Sequence, residues 1–428
     1  MAPDPSTPSP ATDAVAGPAP AAAARSSSDA HLSIAIIRAR YNPYGGAERF
    51  VQRALAALSG GPIALTVIAR RWRRDPRDGE ASQTGVRWQR IDPFFLGSLW
   101  RDASFSRAVR AHLARTSYSL VQSHERIPGV PVYRAGDGVH AEYLAQRARV
   151  LSVWMRGWMR ISPYHRWLLR TERQMFEHPG LRAVICNSMM VRDEILARFR
   201  IAPERLRVIR NGVDLRRFAP PTSEQRQAAR FELGLTSTEP IFAFVGSGFE
   251  RKGLEGALRA LTDPVLPPDL RLIVAGTDKH LARYRRRADQ LGVLGRVVFL
   301  GGVGNVLPVL HAADGFVQPT LYDPFPNAVL EALACGLPTV TSPKSGAAEV
   351  ITPGVNGFAP DACDVPAIAR AMAAILRAPS RAAMREAARA SVSNLSAAAL
   401  GDELLAFYRE LTAVAPAHPL RAESTDLV

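Results

Sequence analysis

Residues 240–261 read PIFAFVGSGFERKGLEGALRAL. A short, almost continuously apolar run ends in a loop relaxed by Gly246 and Gly248. Arg251 and Lys252 then stand at the entrance of a helix expected to start near Gly253. A strand with no polar alternation is one buried on both faces, as in a parallel sheet covered by helices. The same unit recurs downstream in LRLIVAGT (270–277), VVFLGG (297–302), GFVQPT (315–320) and PTVTS (338–342). Upstream, a first set comprises LSIAIIRA (32–39), IALTVIA (63–69), YSLVQS (118–123), RAVICNS (182–188) and LRVIRN (206–211). Two such sets predict an α/β protein of two Rossmann-like parallel-sheet domains facing each other across a cleft.

The boundaries follow from composition. Residues 1–30, rich in Pro, Ala and Ser, bury too little to order themselves and are expected to be a disordered tail. The N-terminal domain is expected over 31–215, a polar interdomain linker over 216–238, and the C-terminal domain over 239–395. The helix at 396–415 is placed back on the N-terminal domain, and 416–428 is expected as a second disordered tail.

A chain of 428 residues with 47% hydrophobic and 22% charged residues reads as globular. It has no apolar run long enough to span a bilayer, and its start lacks the basic and apolar regions of a signal peptide. The three cysteines, Cys186, Cys335 and Cys363, lie far apart without metal-ligand spacing, which fits a reducing cytoplasm. A net charge of +15 points to an anionic partner (nucleic acid, acidic lipid or phosphorylated glycan), or else to an Arg-rich composition as such.

Four stretches hold candidate chemistry. In TLYDPFPNAVLEALACG (320–336), Asp323 and Glu331 stand eight positions apart across a Pro-Phe-Pro break. Pro326 suits a helix's first turn, so the amides of Asn327, Ala328 and Val329 are expected to face an anion between two hydroxyl-binding carboxylates. No third ligand stands nearby for a metal. Arg251 and Lys252 after a strand's carboxyl end suit a diphosphate. In RYNPYGGAERFVQRAL (40–55), Gly45 and Gly46 lead from a strand into a helix, as in a tight turn or a phosphate loop. The G-x-G-x-x-G fingerprint of nicotinamide enzymes is missing there. In PVYRAGDGVHAEYL (131–144), Asp137 sits between glycines with His140 close by, a functional loop or ordinary Asp-Gly turn chemistry.

The segment 147–176 carries seven arginines, three tryptophans and a single acid, Glu172. At about 100° per residue, Leu151, Trp154, Met155, Trp158 and Met159 share one face of a helix and Arg149, Arg156 and Arg160 another. Pro163 ends or kinks it. This is the pattern of an interfacial helix on an anionic membrane, and equally of a helix docked on its own domain with arginines outward.

Together these stretches resemble the retaining family-4 glycosyltransferases of GT-B fold, and within them the bacterial lipopolysaccharide-core (heptosyl) glucosyltransferases. The resemblance rests on NPYGGAERF, VYRAGDGVHAEYLAQ, the Arg-rich stretch through TERQMFE, NSMMVRDEI, IRNGVDLRRF, VGSGFERKG and YDPFPNAVLEALACGLPTVTSPKSGAAEVITPGVNGF, from residue 32 to about residue 360.

It implies a nucleotide-diphosphate hexose donor, UDP-glucose above others, held by the C-terminal domain without a required metal or other cofactor. By resemblance Arg251 and Lys252 take the diphosphate, Asp323 the donor sugar and Glu331 the ribose, while Gly45 and Gly46 close over the donor. Asp137 stands near the reacting centre with His140 in reserve, so Asp137, Lys252 and Asp323 form the catalytic set. The acceptor implied is a lipid-anchored anionic glycan of the lipopolysaccharide core. The enzyme would work as a monomer at the inner face of the cytoplasmic membrane, with Arg149, Trp154, Arg156, Trp158 and Arg160 meeting membrane or acceptor. The family's first carboxylate is usually Glu, and Asp323 is one methylene shorter, which leaves the sugar open.

Two other readings compete. A nucleotide-sugar epimerase of the same architecture would need neither acceptor nor interfacial helix, and fits the spaced carboxylates less well. A basic membrane- or nucleic-acid-binding protein without catalysis would explain the charge. No nucleic-acid module stands in the sequence, however, and its Trp/Arg cluster is amphipathic rather than a base-stacking platform.

Overall fold

The computed structural model describes residues 32–41, 63–72, 86–236 and 238–414. The expected tails and the Gly45–Gly46 loop lie outside the described residues.

The N-terminal sheet has seven strands: β1 (Leu32–Ile37), β2 (Ile63–Ala69), β3 (Val86–Arg90), β4 (Leu120–Ser123), β5 (Val132–Arg134), β6 (Ala183–Cys186) and β7 (Leu206–Val208). Their order is β3-β2-β1-β4-β5-β6-β7. All neighbours are parallel, with Ile34 in register with both Leu65 and Leu120. The C-terminal sheet comprises β8 (Ile241–Val245), β9 (Arg271–Ala275), β10 (Val297–Gly301), β11 (Gly315–Val317), β12 (Thr339–Val340) and β13 (Gly357–Phe358). It is likewise parallel, in the order β10-β9-β8-β11-β12-β13. In each sheet the strand order reverses beside the first strand, β1 or β8, and ligands of such sheets bind at that crevice beyond the strand ends.

Apolar strands without alternation are buried on both faces here. In β8, Ile241, Ala243 and Val245 belong to one hydrophobic cluster, while Phe242 and Phe244 belong to the cluster on the opposite face. In β1, Ile34 and Ile36 pack against one layer, and Ala35 and Ile37 against the helix α1 (Gly97–Leu113).

Further helices in chain order are α2 (His140–Ala148), α3 (Val153–Ile161), α4 (Pro163–Phe176), α5 (Met189–Arg198), α6 (Ser223–Glu232), α7 (Phe249–Lys252), α8 (Leu254–Ala260), α9 (Leu281–Gln290), α10 (Asn327–Ala334) and α11 (Ala397–Val414). The last of these brings Leu400, Leu404, Phe407 and Tyr408 onto Ile34 and Ile36 of the N-terminal sheet. The chain's two crossings between domains run side by side: Val213 N–H donates to Leu395 O at 2.8 Å, and Ala397 N–H to Val213 O at 3.1 Å.

Two expectations change. The stretch expected as linker contains α6, closed by a capping box between Thr222 and Gln225, and its Ala229 lies in the C-terminal core. Val86–Arg90, Val132–Arg134 and Gly357–Phe358 are strands that the apolar-run criterion passes over. The helix expected to end or kink at Pro163 does end there, and the segment holds two helices, α3 and α4. Ser162 ends the first and caps the second, accepting from His165 N–H, while Pro163 occupies the first turn of α4.

Candidate functional site

The loops after β8 and β11 meet because those strands are neighbours, with Ala243 in register with Phe316. Arg251 and Lys252 ride on α7, a one-turn helix of their own. Gly253 then breaks the chain at φ +80°, and α8 begins only at Leu254. The expectation of two cations at the mouth of the Gly253 helix is thus corrected: a Cβ at Gly253 would stand 1.9 Å from Pro319 O, so the backbone turns there against the neighbouring loop.

The turn aims both cations at one carboxylate. Asp323 Oδ2 accepts from Lys252 Nζ at 2.5 Å and from Arg251 Nη1 at 3.1 Å. Asp323 and Lys252 are both buried. Burial pushes the Asp323 carboxyl up, but the charges of Lys252 and Arg251 outweigh it and hold it below its ordinary value. Burial pulls the Lys252 ammonium down, with Asp323 and Glu331 opposing that shift.

Glu331 lies on α10, buried and close enough to Lys252 for its charge to be felt there. Two details of α10 differ from expectation. Pro326 is the N-cap rather than a first-turn residue, and Val329 N–H donates to Pro326 O at 3.2 Å. Val329 therefore drops out of the anion-binding amides. Asn327 is tied through its Oδ1 to Asn211 Nδ2 of the N-terminal domain at 2.9 Å, and Ala328 keeps its place at the helix entry.

Across the cleft, three strand ends of the N-terminal sheet converge on Asp137. Arg38 follows β1, Arg126 follows β4, and the Asp137 loop follows β5. The carboxylate is half exposed into the cleft, with Arg38 Nη1 at 3.6 Å from Oδ2. Enclosure raises its pKa, and the charges of Arg38, Arg126 and Arg251 more than reverse this, so the group sits below its usual range. Arg251 thus acts on Asp323 within its own domain and on Asp137 opposite.

His140 opens α2 directly after this loop but turns away from it. Its Nε2 lies 3.1 Å from His165 Nδ1, and its backbone N–H donates to Glu172 Oε1 at 3.0 Å. Burial, with the charges of Arg126 and His165, lowers its pKa to about 3. Turnover between pH 5 and 8 is therefore expected to show no step near the ordinary histidine value of 6.5. A step there that vanishes in His140→Gln would place His140 at the reacting centre instead of Asp137.

Sequence reasoning missed the clasp between the domains. Tyr322, next to Asp323, accepts at its hydroxyl from Val139 N–H at 2.8 Å and donates to Glu194 Oε2 at 2.7 Å. Lys344 Nζ bridges Glu194 at 2.8 Å and Glu142 at 3.0 Å. Glu142 and Glu194 lie inside stretches singled out above, but no local signal names their partners.

The interfacial segment is only partly as expected. On α3, Val153, Trp154, Met155, Trp158 and Ile161 are exposed, with Trp154 at 83% and Trp158 at 73%. Arg156 and Arg160 lie on the other side, as spacing predicts. Leu151 is buried, however, and Arg149 stands outside α3, bound through both Nη atoms to Asp361 at 3.0 and 2.8 Å. Arg149 is therefore an interdomain tie rather than part of a free cationic face. Among the described residues, no helix is long and apolar enough to cross a membrane, and no three His, Cys, Asp or Glu side chains gather as a metal group.

Residues 225–391 match the family model Glycosyl transferases group 1, and residues 44–217 match Glycosyltransferase Family 4. The chain is 27% identical over 330 residues to the lipopolysaccharide glucosyltransferase WaaG of Escherichia coli K12, covering 75% of this chain and 83% of that one. A crystal structure of WaaG superposes with a TM-score of 0.76 at 22% identity, covering 88% of this chain and 99% of that one. A D-inositol 3-phosphate glycosyltransferase of Salinispora arenicola is 28% identical over 397 residues, 86% and 88% of the two chains. Anabaena HepE in complex with UDP-glucose superposes with a TM-score of 0.68 at 20% identity, over 89% of this chain and all (100%) of that one.

Proposed function

We propose that this chain, which belongs to the GT-B glycosyltransferases through a family 4 N-terminal domain and a group 1 C-terminal domain, moves glucose from UDP-glucose to a hydroxyl of a lipid-anchored anionic glycan with retention of configuration. The observation that carries the reading is the buried pair of Asp323 and Lys252 with the partly exposed Arg251 on the same carboxylate, Glu331 beside it and Asp137 facing it across the cleft.

In this reading Glu331 holds the ribose hydroxyls and Asp323 a hydroxyl of the donor sugar. Lys252, Arg251 and the Ala328 amide receive the diphosphate. As the bond from the anomeric carbon to the diphosphate oxygen breaks, negative charge grows on that oxygen, where fixed cations in a dry site act most strongly. Asp137 offsets the positive charge that develops on the sugar. The acceptor oxygen bonds to the anomeric carbon on the face being vacated, and its proton passes to the departing phosphate oxygen. No side-chain base is then needed, and no metal ion, since two side-chain cations meet the diphosphate. The clasp through Tyr322 closes the domains and keeps out water that would hydrolyse the donor.

The acceptor assignment draws on the similarity to a lipopolysaccharide glucosyltransferase and on the net charge of +15. The exposed Trp and Met of α3, with Arg156 and Arg160 behind them, suit reversible attachment to the inner face of the cytoplasmic membrane. A thermal-shift screen of UDP-glucose, UDP-galactose, GDP-mannose and UDP tests the donor, since a ligand bound to the native state raises Tm. UDP-glucose and UDP should stabilise the protein, and Glu331→Ala should remove most of the UDP shift. A shift from GDP-mannose alone would overturn the uridine assignment.

A further inference from the structure

Behind the donor cluster lies a groove of about 790 Å³ that the proposed transfer does not use. It runs between the start of α3, α8 and α9, and is lined by Met155, Glu250, Glu255, Arg259, Arg283 and Arg286 among others. Its size is that of a small-molecule site. Both acids are already met by cations: Glu250 by Arg147 at 2.6 Å and Glu255 by Arg287 at 2.8 Å. Arg259, Arg283 and Arg286 are exposed and make no ion pair among the described residues. Arg283 and Arg286 stand three positions apart on α9, hence on one face, with Arg259 presented from α8 into the same groove. The groove therefore has three cations in excess.

One of its walls says what kind of anion fits. Met155 lines the groove and also belongs to the exposed apolar arc of α3 with Trp154 and Trp158. The cationic groove thus opens at the edge of an apolar surface, the arrangement of a bilayer interface where acyl chains give way to headgroups. A free phosphate would gain nothing from that rim.

We propose that this groove seats the phosphate of an acidic phospholipid headgroup, giving the C-terminal domain its own membrane contact beside α3. The inference rests on the reading of α3 as a membrane-surface helix. Its consequence is geometric: Glu250 of α7 faces the groove while Arg251 and Lys252 of the same turn face Asp323. A bound headgroup would fix α7, and with it the diphosphate cations, relative to the membrane that carries the acceptor.

The test is co-sedimentation of the full chain with phosphatidylglycerol and phosphatidylcholine vesicles, for the wild type, R259Q/R283Q/R286Q and W154A/W158A. Each basic side chain at an anionic surface contributes about fivefold, so the arginine variant should bind phosphatidylglycerol vesicles roughly a hundredfold more weakly. Its UDP-induced Tm shift should be unchanged, which shows the fold intact. Wild-type binding by the arginine variant, with binding lost in W154A/W158A, would overturn the groove and leave α3 standing. The converse, binding lost only with the arginines, would overturn the α3 reading and retain the groove. A rise in Tm with millimolar glycerol phosphate in the wild type but not in the arginine variant, with both binding phosphatidylglycerol vesicles equally, would show that the groove takes a soluble phosphate and would overturn its assignment to lipid.

Discussion

Lys252→Ala is expected to lower turnover of UDP-glucose about 10²–10³-fold, the loss typical when one preorganised donor to a developing anion is removed. The ammonium is buried, and its Nζ lies 2.5 Å from Asp323 Oδ2. Without it, Arg251 at 3.1 Å is the one side-chain cation of the pair left to meet the Asp323 carboxylate and the leaving diphosphate. Asp323 loses the first of the charges that hold its pKa down, so burial should move it back up. A depressed carboxyl pKa gives stability that is present above the unfolded value and lost as pH falls through the folded one. The variant should accordingly be less stable than the wild type above the ordinary carboxylate range and lose less stability on acidification, so that the two stability curves converge at low pH. Steady-state turnover and acid-unfolding curves measure the two effects separately. Near-normal turnover in a variant with the altered acid limb would make Lys252 a structural partner of Asp323 and remove it from the diphosphate site.

How far the sequence could be read depended on whether a signal was local. Ile34 and Ile36, or Phe242 and Phe244, reveal their strands because burial on both faces leaves a run with no polar alternation. Val86–Arg90 hides by the opposite rule. It is an edge strand with Arg87 and Arg90 exposed, and it reads as charged surface. Val132–Arg134 is three residues long and merges into the loop that carries Asp137. Asp323, Glu331, Arg251 and Lys252 were legible because glycine and proline punctuate the strand–helix turns that hold them. Their mutual geometry was not, since the pairing of Lys252 with Asp323 joins residues 71 positions apart. The clasp was still less so: Tyr322 meets Val139 across 183 positions and Glu194 across 128. Arg149 shows the reverse error. Helical periodicity grouped it with Arg156 and Arg160, but α3 begins only at Val153, and Asp361, 212 positions away, claims its guanidinium.

The clasp also makes the largest effect expected from a single added methyl group. Gly138→Ala should reduce turnover about a hundredfold, the cost of misplacing reacting groups by about 1 Å, and leave UDP binding near the wild-type level. Gly138 has φ +67°, where an alanine is strained at roughly 1–2 kcal/mol. Its Cβ would stand 2.3 Å from Tyr322 Oη, 2.7 Å from Tyr322 Cε1 and 2.8 Å from Pro324 Cγ. The phenol has little freedom to yield, because Val139 N–H and Glu194 Oε2 hold it from two sides. The loops must part instead, carrying Asp137 away from Arg251 and opening the cleft to water. The donor clamp of Arg251, Lys252, Asp323 and Glu331 lies wholly in the other domain, so UDP should raise Tm as before. Donor hydrolysis, measured as UDP release without acceptor, should rise relative to transfer. Adding Tyr322→Ala to Gly138→Ala restores the space but not the clasp, so the double variant should recover the close approach only in part. Wild-type turnover in Gly138→Ala would mean that the working enzyme does not bring these two loops together.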